Sequence, residues 1–252
     1  MDESQLSTPP VAFAAGVVHP VECLSAGWEI VRPQYWLMVA IALVGLVIGG
    51  FAPMGILMGP MMCGIYLCLF GRMRGERIEF GLLFKGFDYL VPSLVVTLVQ
   101  AVPVFVILIP AYAIFFASFV LLGPPSGSRG APSGPAVEVV VVAAVLVMLL
   151  IMAVSLTVGL FFMFAYPLVV DRKLPGLDAC RASARAVRAN LGGMLGLVLL
   201  NFALGMIGLL LCYVGALLLM PVGMAANAVA YRRVFGEAAE ALQTEPRPSA
   251  SK

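Results

Sequence analysis

The segment from Gln34 to Arg77 limits what this chain can fold into more than any other. Two apolar runs, Tyr35 to Phe51 and Ile56 to Phe70, flank the break Ala52-Pro53-Met54-Gly55 and end at Arg72-Met73-Arg74-Gly75-Glu76-Arg77. With its flanks each run has roughly 17 residues, enough at about 1.5 Å per residue to cross most of a hydrocarbon layer roughly 30 Å thick. The Pro/Gly break turns the chain, and the arginines cannot follow it into lipid. The segment therefore reads as a transmembrane helical hairpin. Composition agrees: 62% of the 252 residues are hydrophobic and 11% charged, against about 25% charged in a soluble domain. A soluble chain this apolar could not cover its surface, whereas helices in lipid need apolar side chains all round.

The same reading makes residues 1–19 a flexible N-terminal tail, 20–236 a single membrane domain and 237–252 a polar C-terminal tail. Six spans are expected, at about 34–52, 54–71, 90–122, 137–170, 192–210 and 213–233. As one helix the run 90–122 would reach about 50 Å, so it either tilts, kinks at a proline and projects, or divides near Pro110. The second piece would be short for a span, which favours one long kinked helix. Gly123 to Pro135 is the clearest loop. Short amphipathic segments, 21–32, 78–88 and 176–190, precede the three hairpins. Phe80, Phe84 and Phe87 place the second at the membrane interface. In the third, Leu177, Cys180, Ala184, Val187 and Leu191 make an apolar stripe beside Arg181, Arg185 and Arg188. Trp28, Tyr35 and Trp36 suit an interfacial aromatic belt. The expected fold class is all-α: a polytopic membrane bundle of about six helices in three hairpins, each with a short cytoplasmic interfacial helix before it. Pro60, Arg72 and Gly75 recur at constant offset as Pro221, Arg233 and Gly236, as parallel repeats would require; chance explains three residues equally well.

With both termini on one side, every Lys and Arg except Arg129 falls on that side, which makes it cytoplasmic. An eight-span arrangement also satisfies the charges, and only the shortness of the extra pieces counts against it. The start Met1-Asp2-Glu3 has no basic region and no long apolar core before Pro20, so no cleaved signal peptide is expected. A net charge of +2 implies no nucleic-acid partner. Cys23, Cys63, Cys68, Cys180 and Cys212 form no Cys-x-x-Cys pair and read as small buried hydrophobes.

Intramembrane polar groups are the natural candidates for function. The spans hold no Asp, Glu, Lys, Arg or His in their apolar interiors, which argues against proton- or ion-coupled pumping. Gln100, Asn201 and Asn227 are the best candidates for polar contacts, with interhelical hydrogen bonds as their plain alternative. Gly45/Gly49, Gly55/Gly59 and Gly192/Gly196 have the spacing that lets helix backbones approach, within the bundle or in an oligomer. Arg181, Arg185 and Arg188, with Arg172 and Lys173, would face anionic head groups, muted by Asp171 and Asp178; topology-setting charge explains them equally. The single histidine, His19, and the absence of nucleophile, zinc or phosphate-loop signatures lead to no expected catalytic, cofactor-binding or metal residues and no enzyme activity. Glu76, Glu79 and Asp88 read as ion-pair partners of Arg74, Arg77 and Lys85 rather than as metal ligands.

Gly59-Pro60-Met61-Met62-Cys63-Gly64-Ile65-Tyr66, Arg74-Gly75-Glu76, Leu83-Phe84-Lys85-Gly86-Phe87 and Phe164-Ala165-Tyr166-Pro167-Leu168-Val169-Val170-Asp171 resemble a broad set of uncharacterised multi-pass bacterial membrane proteins. Similar membrane regions occur fused to glycerophosphodiester phosphodiesterases. The resemblance covers most of residues 24 to 236 and implies a bacterial cytoplasmic (inner) membrane location without an established activity. The phosphodiesterase domain is absent, so its activity is not carried over. The expected function is a non-catalytic scaffold, assembly or lipid-interacting protein, with membrane lipids, another membrane protein or a second copy as partner. The alternative is a transporter or channel for a lipidic or apolar solute.

Overall fold

The computed structural model describes residues 11–51, 55–122, 135–210 and 214–236, which are mostly helical with no strand among them. Nine α-helices occur in these residues: α1 (Pro20–Val31), α2 (Tyr35–Phe51), α3 (Met58–Met73), α4 (Leu90–Leu122), α5 (Pro135–Phe161), α6 (Ala165–Asp171), α7 (Gly176–Ala189), α8 (Leu191–Leu210) and α9 (Val214–Phe235). Two 3-10 segments, Arg32–Gln34 and Phe80–Tyr89, precede α2 and α4. The chain forms two units: residues up to Thr97 with those from Leu160 onward, and Leu98–Gly159 between them.

In the first unit α3 is surrounded. It packs against α1, α2, α6, α9 and the 3-10 segment Phe80–Tyr89, and 11 of its 16 residues are buried. Its glycines make this possible. A Cβ on Gly64 would strike the carbonyl oxygen of Leu83, and one on Gly86 would strike Pro60 O and Gly64 N, so two backbones lie directly on one another. Within the 3-10 segment the three-residue period aligns Leu83 with Gly86 against α3, leaving Phe84 and Phe87 exposed. The segment thus winds as a 3-10 and not an α-helix, and Phe80, Phe84 and Phe87 all stay exposed. The glycines Gly45 and Gly49 of α2 likewise face Ile65 and Met58 of α3, within the chain.

α9 is the second centre and packs on α1 and α8, with Gly27 of α1 so close to Ala226 that a Cβ would lie 2.7 Å from its backbone nitrogen. Tyr231 and Phe235 of α9 meet Phe70 of α3 and Phe164 in one aromatic cluster, with centroids 5.2–6.0 Å apart. Edge-on and tilted packing of this kind favours one arrangement beyond the area it buries.

Five helical stretches are long and apolar enough to cross a bilayer: Pro20–Phe51, Phe80–Ala113, Val141–Asp171, Leu191–Leu210 and Val214–Phe235. The sixth expected span, 54–71, corresponds to α3, whose 16 residues rise only about 24 Å and are sheathed by protein. The run 90–122 is continuous through Pro103 and Pro110. The run 137–170 is not: it breaks at Phe162–Phe164 into α5 and the buried helix α6. Ser183 of α7 fills the break, its Oγ donating to Phe161 O at 2.8 Å and accepting from Phe164 N at 3.1 Å.

The expected flexible tail also needs correction over residues 11–19. Ala14 N donates to Val234 O at 2.8 Å, Asn190 Nδ2 donates to Ala14 O at 2.9 Å, and Val17 N donates to Asn190 Oδ1. Phe13 meets Phe235 edge-on, and Ala14 and Val18 are buried. Residues 1–10, the turn at 52–54, the loop from Gly123 to Gly134, Cys212 and the tail 237–252 lie outside the described residues. In the second unit, Val106, Ile109 and Tyr112 of α4 and Leu146, Met148 and Met152 of α5 are exposed apolar side chains, as helices bathed in lipid require.

Gly86→Ala is expected to destabilise the protein by about 1–3 kcal/mol through overpacking, while Gly81→Ala, whose Cβ would meet nothing within 4 Å, changes little. Thermal unfolding in detergent distinguishes the two, and equal midpoints would remove the close contact from the account of the fold.

Candidate functional site

The structure brings two of the three expected intramembrane polar residues together. Asn201 of α8 donates from Nδ2 to Oδ1 of Asn227 on α9 at 3.0 Å. Asn201 Oδ1 is buried and has no hydrogen-bond partner among the described residues. A Cβ at Gly223 would lie 2.9 Å from it. Beside the pair lies a cleft of about 320 Å³, lined by Asn201, Gly205, Ala216, Met220, Gly223 and Asn227 among others. Gln100 lies on α4 in the second unit and is half-buried.

Several polar residues that the sequence reading passed over do structural work. Gln34 pairs with Ile78 in both directions, accepting from its N–H at 3.0 Å and donating to its carbonyl at 3.3 Å. Thr97 and Tyr166 share a hydroxyl contact at 3.1 Å, and Thr97 also donates to Ser93 O. Asn190 closes α7 and holds the N-terminal segment. Its position before Gly192-Gly193 was the available signal, since Asn favours helix ends.

Arg181, Arg185 and Arg188 lie exposed on α7, as the stripe predicts. Arg181 meets Asp178 at 3.5 Å, Arg185 donates to Arg181 O, and Arg188 lies over the Phe161 ring at 5.6 Å. The apolar face of α7 is only in part the one expected, since Cys180 and Val187 of the predicted stripe are buried. Leu177 and Leu191 are exposed, and the buried face is Ala179, Cys180, Ala182, Ser183, Ala186 and Val187. Small residues occupy it because α7 lies close against α6.

A second basic group gathers where α3, α6 and α9 end. Cations suit this place, because helix C-termini carry partial negative charge. Arg72 donates to Ile30 O and Glu76 O, Arg172 donates to Phe235 O at 2.6 Å, and Arg233 pairs with Glu22 at 2.8 Å. Tyr231 donates to Asp171 at 2.7 Å, and Asp171 also lies 3.7 Å from Arg172. Arg74 binds Glu76 at 2.7 Å, and its guanidinium holds the Glu76 carboxyl below the usual carboxylate range. Any stability from that pair is therefore present above the usual range and lost as pH falls through the lowered value. It is small, because both side chains are half-exposed. Arg232 lies over the Phe70 ring at 5.2 Å. Among the described residues no group of three His, Cys, Asp or Glu is placed to hold a metal ion.

No family model matches the chain. It is similar to uncharacterized proteins of Mycobacterium bovis and of two strains of Mycobacterium tuberculosis, each 32% identical over 93 residues. The match covers 36% of this chain and 29% of each relative, so the chain spans less than a third of their length. No solved structure matches. Fold and relatives together define a helical protein with several stretches long and apolar enough to cross a membrane, similar in part to uncharacterized mycobacterial proteins.

A double-mutant cycle on Asn201→Leu and Asn227→Leu is expected to show a coupling of about 0.6–1.7 kcal/mol, the range for hydrogen bonds inside membrane bundles. Unfolding in mixed micelles measures it, and additive losses would remove the pair as a bonded unit.

Proposed function

We propose that this is a multi-pass protein of the bacterial cytoplasmic membrane, with both termini in the cytoplasm, acting without catalysis as a scaffold, assembly factor or lipid-interacting protein. The carrying observation is the use made of interior polar groups. Asn201 with Asn227, Thr97 with Tyr166, Ser183 with the ends of α5 and α6, and Asn190 with Ala14 bond one part of the chain to another. Groups used to hold helices are not available to guide a solute. The resemblance to membrane regions fused to glycerophosphodiester phosphodiesterases supports the same location and leaves the activity open. Arg181, Arg185 and Arg188 face outward from α7, where anionic head groups would meet them.

One observation favours the second reading, a carrier of a lipidic or apolar solute: the unpartnered Asn201 Oδ1 beside its cleft. Proteoliposomes separate the two. The scaffold reading expects no solute-dependent flux, and flux abolished by Asn201→Leu overturns it. Orientation is checked with reporter fusions. Alkaline phosphatase placed after Gly127 should be active, and a fluorescent protein at the C-terminus should fluoresce; the opposite pattern inverts the topology.

A further inference from the structure

The ends of α3 and α9 enclose a cleft of about 460 Å³, lined by Val17, Met73, Arg74, Val229, Arg232, Arg233 and Gly236. Three of these are arginines, but their circumstances differ. Arg74 and Arg233 are each matched by a carboxylate, Glu76 and Glu22. Arg232 has its guanidinium against the Phe70 face, and its Nε is buried without a hydrogen-bond partner among the described residues. A buried donor that bonds nothing is costly, and an ion or a water is one of the things that satisfies such a group in native structures. Among the described residues the neighbouring charges do not neutralise it. Arg72, Arg74, Arg172, Arg232 and Arg233 stand against Glu22, Glu76 and Asp171.

We infer that this cleft binds a phosphate group, as a phosphomonoester or phosphodiester, with Arg232 as the central contact and Arg74 and Arg233 at its rim. Phosphate suits the site because a guanidinium fork bonds two of its oxygens at once, and a phosphodiester still carries one charge at neutral pH. The aromatic face behind Arg232 fixes the plane of that fork. Val17 closes one side, so the packed N-terminal segment forms part of the wall. The inference rests on the lipid-interacting reading only for the source of the phosphate: a phospholipid head group or a soluble phosphate compound would supply the same chemistry.

The test is native mass spectrometry of the full chain in neutral detergent, titrated in separate arms with phosphatidylglycerol and with inorganic phosphate. One bound anion per chain is expected, weakened about tenfold or more by Arg232→Gln and unaffected by Arg185→Gln, which removes the same charge from exposed α7. If phosphatidylglycerol alone shows this dependence, the source is a lipid; if inorganic phosphate does, the source is soluble. Equal weakening in the two variants would mean diffuse attraction and overturn the site, as would the absence of stoichiometric binding in both arms. Should Arg232→Gln not fold, Arg74→Gln takes its place, with the same comparison. Loss of the site would leave the proteoliposome result untouched, so the two proposals fail separately.

Discussion

Close backbone contact around α3 is the constraint on which the first unit depends. Lipid offers no hydrophobic penalty for leaving a leucine exposed, so burial of apolar area does little to hold membrane helices together. What remains is dispersion between surfaces that fit, and this grows as backbones approach. Gly64 and Gly86 let the 3-10 segment lie on α3, and Gly27 lets α1 lie on α9. Each contact pins an amphipathic segment to a central helix. The segments thereby become part of the packed unit, not loose attachments at its edge.

That logic explains which parts of the fold could be read from the residues and which could not. Long apolar runs bounded by arginine are local signals, and α2, α4, α8 and α9 follow them. The break between α5 and α6 carries only an indirect signal: Phe162-Met163-Phe164 contains neither Pro nor Gly, but Pro167 has no N–H to bond Met163 O and so interrupts the helix there. It is stabilised by Ser183, about twenty residues away and on another helix. The N-terminal segment is a similar case. Its composition reads as a tail, yet Asn190 and Val234 supply its backbone partners from far along the chain. Non-local hydrogen bonds leave no periodicity for sequence reasoning to find.

Site residues divide along the same line. Asn201 and Asn227 were conspicuous because an amide in an apolar run is costly unless bonded, and the bond they form follows from that cost. The arginines were equally conspicuous as a group, but their roles were not. Those on α7 form a regular stripe at helical spacing and prove outward-facing. The ones ending α3, α6 and α9 are scattered in sequence and meet only in space, at carbonyls and carboxylates belonging to other helices.

The distinction between these two arginine groups bears on specificity. An exposed arginine attracts any anion, and salt screens it within a few ångströms to about 10 Å. A guanidinium fixed against an aromatic ring, with its Nε out of water, has lost most of its freedom before a ligand arrives. Binding there costs less ordering and demands a partner of matching shape. The α7 stripe can therefore orient the protein at a charged surface while selecting nothing. Selection belongs where α3 and α9 end, because among the described residues the buried, unbonded Nε of a cation lies there.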